Sequence, residues 1–516
     1  MEEYKVLLTT SGLGSRLGNL TKFTNKSLVR VGDKAVISHI IDSYPDGVEF
    51  VVTLGHQGSH VKQYLMLAHP DKKIQYVEID NYMGEGSSLL YSISQCEEYL
   101  NCPFVFHACD TILPNNYIKN VNFSTNWSIG GSGKNSQSYR TINCINGKII
   151  SLNEKGEKNF DYIYVGVSGI KDYQSFWKQV KQILITIKTN ELSDCHVIRN
   201  MNDFYVVPIT EWYDIGNIDS LKNTRLSLPS SMYVLDKEDE NIFIFDTFVI
   251  KFFNNKKICY DRVLRSKELV GLIPNIVDST ENFYKYEYKN AELLSESITL
   301  DKFSNLLDWS KKNLWIEKED SNYKNNALKF YKDKTFDRIN KFFEKYNIVD
   351  KEDIINGVKV PTIKELLLNI DFESIIGKMP TGFHGDFILD NILHSDGEFT
   401  LIDWRQDFNG SISCGDMNYD LAKLNHNLVL THDILANNYF HINYKSEITL
   451  DVYVKKSLID CKKRLINFCK SEGIDFNTIE ILTSLIWINM SPLHEHPLDM
   501  FLYYFGKYNL QLNLQS

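Results

Sequence analysis

Short, continuously apolar runs alternate with longer amphipathic stretches over the first hundred positions. Lys5–Thr9 (KVLLT), Phe50–Leu54 (FVVTL) and Phe104–Ala108 (FVFHA) read as strands buried on both faces, and Gln75–Ile79 as a fourth strand. Between them, Ala35–Tyr44, His60–Ala68 and Ser87–Tyr99 carry helical patterns. Such alternation predicts a parallel sheet with helices on both faces, in which ligands sit at the carboxyl ends of the strands. The segment Pro229–Glu240 (PSSMYVLDKEDE) is polar, charged and turn-rich and reads as a linker. After it, Ile242–Phe253 alternates as strand material. From about Leu300 onward the pattern is mainly helical, with long stretches such as Val452–Cys469. The organisation expected is a domain over residues 1–226, a linker over 227–240 and a second domain over 241–516. The second domain divides into a small lobe at 241–295 and a helical lobe at 296–516.

Composition narrows the functional classes. A chain of 516 residues with 43% apolar and 24% charged residues can bury several cores, and two to four domains fit that length. The net charge of -10 and a pI near 5.8 disfavour nucleic acid as a partner, because neutralising phosphates takes a basic surface. Small phosphates need only a local basic pocket. The nine cysteines include no C-x-x-C pair, which argues against a disulfide framework or a zinc ribbon. Cys461 and Cys469 read as packing residues on one helix. The start, MEEYKVLLTTSG, lacks the basic n-region of a secretory signal. No run of ~18 apolar residues suggests a membrane span. The cytoplasm is the expected location.

Two constellations carry candidate chemistry. The first, Thr10-Ser-Gly-Leu-Gly-Ser-Arg-Leu17, follows the first strand. Gly12 and Gly14, with Ser11, let backbone N–H groups approach a triphosphate, and Arg16 and Lys26 add fixed positive charge. Farther on come Gly84-Glu-Gly-Ser-Ser-Leu89, Cys109-Asp110 at the end of the fourth strand, Asn153-Glu-Lys-Gly156 followed by Tyr162–Gly169, and Glu211-Trp-Tyr-Asp-Ile-Gly216. Two carboxylates far apart in sequence can converge on one Mg²⁺, a hard cation that prefers oxygen ligands.

This ordered set resembles the sugar-phosphate nucleotidyltransferases over roughly residues 1–226. The resemblance implies a Rossmann-like, GT-A type α/β domain. It implies nucleotide binding by Ser11, Gly12, Gly14, Gly84, Gly86 and Ser87, catalysis by Arg16 and Lys26, and Mg²⁺ held by Asp110 and Asp214. Glu154, Lys155 and Gly166 would bind the phosphorylated substrate, Glu154 through its hydroxyls and Lys155 through its phosphate. The chain departs from the family pattern at Thr10-Ser11, where small residues such as Ala are usual, and at Asn25 and Ser27, where Pro is usual.

The second constellation is Phe383-His-Gly-Asp-Phe-Ile-Leu-Asp-Asn391, then Leu401-Ile-Asp-Trp404, then Gly415-Asp-Met-Asn-Tyr-Asp-Leu-Ala422. It resembles the aminoglycoside phosphotransferase and choline kinase family over roughly 230–516, which implies an α+β two-lobed kinase-like fold. The resemblance makes Asp386 the base facing the acceptor hydroxyl and Asn391 and Asp403 the Mg²⁺ ligands, with Asp416 and Asp420 structural. Lys251 would meet the ATP phosphates, Tyr286-Glu-Tyr288 the adenine, and Glu268 would partner Lys251, although the stretch from Ser230 to Lys251 holds no glycine for a phosphate-covering loop. The function expected is transfer of a nucleotide, with CTP the expected donor, to a sugar or polyol phosphate for a surface or capsular polysaccharide. Kinase-like domains of this type pair with cytidylyltransferases. The alternatives are a choline- or ethanolamine-type kinase joined to a cytidylyltransferase, and a non-catalytic second half. A quaternary ammonium acceptor would call for an aromatic cage, which the sequence does not locate.

Overall fold

The computed structural model describes residues 4–114, 117–118, 123–133, 136–187, 189–231, 237–444 and 447–515. Residues 232–236 of the expected linker lie outside them. The chain divides into two compact units, Met1–Cys259 with Val277–Tyr288, and Tyr260–Ile276 with Lys289–Ser516.

The first unit is built on a nine-stranded sheet. Its elements are β1 (Lys5–Thr9), α1 (Val36–Asp42), β2 (Glu49–Leu54), α2 (Gly58–Ala68), β3 (Ile74–Glu78), α3 (Leu89–Ser94), β4 (Phe104–Ala108), β5 (Asn126–Gly131), β6 (Thr141–Ile145), β7 (Lys148–Asn153), β8 (Tyr162–Ile170), α4 (Tyr173–Thr186), β9 (Phe204–Ile209) and α5 (Ile218–Ser227). The strand order is β3-β2-β1-β4-β8-β5-β9-β7-β6. Four strands, β3, β2, β1 and β4, run parallel, with Leu7 opposite Val51 on one side and Phe106 on the other. β8 then pairs antiparallel with both β4 and β5, so the whole sheet is mixed where the alternation predicted a parallel one. The cause is local: from β5 onward the strands follow one another with few intervening helices, which favours antiparallel partners.

Strands covered on both faces explain the apolar runs. Val6, Leu8, Val52 and Val105 enter one core, while Leu7, Val51, Phe104 and Phe106 enter the other. The helical stretch expected over 87–99 is shorter: α3 ends at Ser94, and Glu97–Tyr99 forms a separate 3₁₀ turn. Ser88 caps α3 by accepting a hydrogen bond from the Tyr91 amide at 3.0 Å.

The strands after the expected linker belong with the first unit. β10 (Glu240–Ile244), β11 (Phe248–Phe253), β12 (Ile276–Ser279) and β13 (Phe283–Glu287) form a sheet of order β10-β11-β13-β12, and α6 (Lys256–Arg265) connects β11 to β12. Aromatic residues account for this grouping. Phe243 meets Tyr64 of α2 at 4.8 Å between ring centroids, and Phe252 meets His60 at 4.9 Å. Phe243, Ile250, Phe252 and Phe283 thereby join the core beneath α1 and α2.

The second unit is mainly helical, with α7 (Leu300–Asn313), α8 (Asp333–Tyr346), the hairpin β14 (Ile392–Ser395) and β15 (Glu398–Leu401), α9 (Met417–Asn427), α10 (Lys456–Ser471), α11 (Phe476–Met490) and α12 (Leu498–Gln515). The helical pattern expected over 452–469 is α10, and Val452 instead closes a strand, Ile448–Val452. Cys461 and Cys469 are fully buried on α10 and unpaired. No helix among the described residues is long and apolar enough to cross a membrane.

Candidate functional site

Topology brings the first-unit residues together. β1 and β4 are adjacent and parallel with Thr9 opposite Ala108, so the loop after Thr9 and the turn at Asp110 leave the sheet at the same edge. Asp214 reaches that edge through a two-residue antiparallel ladder in which it faces Thr111 and Tyr213 faces Ile112. The Ile215 amide donates to the Asp110 carbonyl at 3.0 Å and closes the arrangement. A Cβ on Gly216 would lie 2.9 Å from Asp214 Oδ1, so the glycine lets the Gly216 amide donate to that same oxygen at 2.9 Å.

Asp110 and Asp214 line one cleft of about 530 Å³ together with Arg16, Arg140, Lys155 and Gly166. Gly166 has φ +83° and a Cβ there would lie 3.0 Å from the Ala108 Cβ, so it forms an irregularity in β8 that no other residue fits without strain. Arg16 is exposed and has no hydrogen-bond or ion-pair partner among the described residues. Lys26 Nζ donates to Asp110 Oδ2 at 2.5 Å. Burial pushes the Lys26 ammonium down, but Asp110 and Cys109 outweigh it and its pKa is raised. Burial likewise opposes ionisation of Asp110, and Lys26 and Arg16 outweigh it, so that carboxyl is held below its ordinary value. Burial pushes the Lys155 ammonium down, helped by Arg16 and Arg140, so an added anion would find it poorly compensated.

The loop that carries Arg16 is held from beneath. Asn25, fully buried, donates through Nδ2 to the Thr10 carbonyl at 2.8 Å and the His56 carbonyl at 2.6 Å. Its Oδ1 accepts from the Ser27 amide at 2.9 Å and the Ser27 hydroxyl at 2.8 Å. The two departures from the family pattern, Asn25 and Ser27, thus form one hydrogen-bonded unit. Ser11 is buried and donates to the Ser92 hydroxyl at 2.9 Å. Gly12 and Gly14 remain on the loop, Gly14 with φ +66°.

Other sequence-derived residues stand apart from the cleft lining. Glu154 is bound by Arg140 at 3.0 Å and Arg199 at 2.6 Å, which explains why it is absent from the cleft wall while its neighbour Lys155 is present. Gly84, Gly86 and Ser87 lie on an exposed loop, where Asn190 bridges the Gly84 carbonyl and the Gly86 amide. That loop leads to Leu89, which does line the cleft. Tyr139, Arg140, Tyr164, Asp194 and Trp212 also line it. Tyr139 donates to Asp214 Oδ2 at 2.8 Å and packs edge-on against Trp212 at 5.2 Å. Asp194 is buried, accepts from the Tyr164 hydroxyl, and is pushed up by burial. Of these five, Tyr164 and Trp212 fell within sequence motifs.

The two acids fit a magnesium ion. Both supply oxygen to one cleft, and both act on Lys155 and Tyr139. Mg²⁺ is commonly held by one or two carboxylates, with the rest of its shell left to substrate oxygens and water. Among the described residues no group of three or more His, Cys, Asp or Glu is arranged to hold a metal.

In the second unit, Arg265 is fully buried and donates to the carbonyls of Phe383, His384 and Arg405, which fixes the His384-Gly385-Asp386 turn. Asp420 accepts from the His384 and Gly385 amides, each at 2.7 Å, and from Trp315 Nε1 at 3.1 Å. Asp416 accepts from the Asn418 amide at 2.9 Å and the Tyr331 hydroxyl at 2.8 Å. Asn391 donates to Asp386 Oδ2 at 3.1 Å. Asp386 pairs with Lys423 at 2.7 Å; burial would raise its carboxyl, but Lys423 outweighs that and lowers it to about 2. Asp403, in the left-handed region at φ +57°, is paired with Arg262. Glu268 pairs with Lys318 at 3.3 Å, so its carboxylate is not the free partner expected for Lys251. Lys251 is buried on β11 of the first unit, opposite Ile242 and Tyr284, and Tyr286 and Tyr288 belong to that unit also.

No protein-family model matches the chain, and no curated protein matches it. The chain resembles nucleotidyltransferases of known structure. CTP:phosphocholine cytidylyltransferase from Streptococcus pneumoniae is 17% identical, with 44% of this chain and 99% of that one covered at a TM-score of 0.38. The inositol-1-phosphate CTP transferase from T. maritima is 15% identical, covering 45% of this chain and 99% of its own at 0.37. A UDP-glucose pyrophosphorylase complexed with UDP-glucose is 14% identical, covering 44% and 98% at 0.36. At these identities and scores, none of the three decides what this chain does.

Proposed function

We propose that the first unit is a nucleotidyltransferase that joins a nucleoside triphosphate to a small phosphorylated acceptor and releases pyrophosphate. The observation that carries this reading is the convergence of Asp110 and Asp214, distant in sequence, on one cleft with Arg16 and Lys155. Arg16 and the loop amides after β1 face the triphosphate, and Lys155 and Arg140 face the acceptor phosphate. A Mg²⁺ held by Asp110 and Asp214 would neutralise the triphosphate and polarise its α-phosphorus. An acceptor phosphate oxygen forms the new bond to that phosphorus as the bond to the β-phosphate oxygen breaks. The electron pair leaves with pyrophosphate. No protein nucleophile takes part. Arg16 and Lys26 stabilise the charge that accumulates. Lys26 does so while keeping Asp110 ionised.

CTP as donor and a sugar or polyol phosphate as acceptor, for a surface polysaccharide, is the specific form proposed. The cytosine preference is supported by the pairing with a second half that resembles choline kinase. The cleft also supports a second acceptor class. Tyr139, Tyr164, Asp194 and Trp212 line it, and these are the side chains that a phosphorylated amino alcohol would meet there. In either case the second half would act as a kinase supplying the phosphorylated acceptor from ATP, with Asp386 as base and Asn391 and Asp403 as metal ligands. A scaffold role is the alternative. The test is pyrophosphate release from each of the four ribonucleoside triphosphates with sugar, polyol and amino-alcohol phosphates. CTP is expected to react fastest, and faster turnover with another base on the same acceptor refutes the donor assignment. Preference for phosphocholine over every sugar and polyol phosphate selects the second acceptor class.

A further inference from the structure

Around Asp386 the second unit gathers more positive charge than the kinase resemblance requires. α8 presents Lys334 and Arg338 one turn apart, and α9 presents Tyr419 and Lys423 one turn apart. Lys334 Nζ lies over the Phe330 ring at 4.1 Å and the Tyr419 ring at 5.5 Å, and the Arg405 guanidinium lies over the same Phe330 ring at 4.9 Å. Arg405 also borders the turn itself, since a Cβ on Gly385 would lie 2.6 Å from the Arg405 Cβ. Lys423 pairs with Asp386 at 2.7 Å. Among the described residues neither Lys334 nor Arg338 nor Arg405 has an ion pair with a carboxylate, and all four cations are half-buried.

Half-buried cations that repel one another are costly unless an anion joins them. Burial pushes the Lys334 ammonium well below its ordinary value, and Arg405, Lys423 and Arg338 push it the same way. Asp386 offsets one charge of the four, and Asp337 acts in the same sense on Arg338, which still leaves the cations in excess. An acceptor site for a cationic amino alcohol would present the opposite balance.

We propose that Lys334, Arg338, Arg405 and Lys423 form a binding site for a small hydroxylated phosphomonoester. The cations hold its phosphate, and Asp386 accepts a hydrogen bond from its hydroxyl. The site lies wholly within the second unit and does not depend on the nucleotidyl transfer reading. It makes the ligand of the second half an already phosphorylated molecule, and so stands against the scheme in which that half phosphorylates a free polyol or amino alcohol.

The test uses the full chain carrying Arg16→Ala and Lys155→Ala, so that the first-unit cleft does not contribute. Ribose 5-phosphate, inorganic phosphate, ribose and choline are titrated calorimetrically. Ribose 5-phosphate is expected to bind, more tightly than inorganic phosphate, and ribose and choline to give no signal. Adding Lys334→Met is expected to weaken ribose 5-phosphate at least tenfold while leaving the melting temperature unchanged or higher, because it removes an ammonium without a carboxylate partner. Arg338→Lys keeps the charge and is expected to retain binding that Arg338→Met loses. A merely structural cluster would instead lose melting temperature in Lys334→Met. That outcome, choline binding in place of phosphate, binding of inorganic phosphate alone, or unchanged affinity in Lys334→Met would each overturn the proposal.

Discussion

Asp110→Asn is the substitution that separates charge from shape at the proposed transfer site. The amide keeps the side-chain volume, so the turn after β4 and its bond from the Ile215 amide persist. What disappears is the charge facing Lys26 at 2.5 Å, where the two side chains are 13% and 25% exposed. At an effective dielectric near 20, a pair at that distance attracts by roughly 7 kcal/mol before desolvation is subtracted. Breaking a buried pair costs about 3–5 kcal/mol because the other charge is left uncompensated, and a partly wet site belongs at the lower end. The expected loss of stability is therefore about 3 kcal/mol. The kinetic effect is separate. A lost metal ligand and a displaced Lys26 should remove about 4 kcal/mol of transition-state stabilisation, a fall of roughly 10³ in kcat/KM. The assay couples pyrophosphate release to a phosphatase readout at saturating Mg²⁺, alongside thermal unfolding. The double variant Lys26→Met/Asp110→Asn should regain stability, since the stranded ammonium is gone, without regaining activity. Release by Asp110→Asn within tenfold of the wild type, or recovery of activity in the double variant, would refute the reasoning.

Three further outcomes are expected. Asn25→Ala removes four hydrogen bonds, three of them buried, and strands two carbonyls; unfolding in urea should show a loss of about 2–4 kcal/mol, and a loss below 1 kcal/mol would show that the loop is held otherwise. Gly166→Ala places a Cβ 3.0 Å from the Ala108 Cβ at φ +83°, so stability should fall by about 1–3 kcal/mol with a rise in KM for the acceptor; unchanged values for both would contradict the role given to the β8 irregularity. His107 and His384 are fully buried and pushed down to about 4 chiefly by burial, so both are neutral in the folded chain at pH 7. Their folded values lie below the unfolded ~6.5, so the stability they contribute is present above pH ~6.5 and is lost as pH falls toward 4, by at most ~3 kcal/mol each. Stability in urea that stays flat from pH 7 to pH 4.5 in the wild type and in His107→Gln would contradict this.

How far the sequence reaches follows from what each signal encodes. β1, β2 and β4 were legible because a strand covered on both faces has to be apolar throughout, and the run KVLLT or FVFHA has no helical alternative of that length. The mixed character of the sheet was not legible, since strand direction depends on connections beyond β5 that leave no local periodicity. The grouping of β10–β13 with the first unit rests on Phe243 and Phe252 meeting Tyr64 and His60 across nearly two hundred positions. Nothing near Phe243 announces that contact. In the cleft, Arg16, Asp110, Lys155, Gly166 and Asp214 were marked because each sits in a short motif. Arg140, Asp194 and Tyr139 were missed because the fold, and no motif, delivers them. The opposite holds for Glu154, whose motif is clear but whose carboxylate is taken by Arg140 and Arg199.

The central claim is that the first unit moves a nucleotidyl group. It is tested most directly by following phosphorus from a labelled donor. The full chain is incubated with Mg²⁺, a phosphorylated acceptor and CTP labelled either at the α- or at the γ-phosphate, and the products are separated by mass. The account predicts α-label in a product whose mass is that of the acceptor phosphate plus CMP less one water, with γ-label found only in pyrophosphate, and loss of both signals in Asp214→Asn. Label passing from the γ-position to the acceptor, with none passing from the α-position, would contradict it.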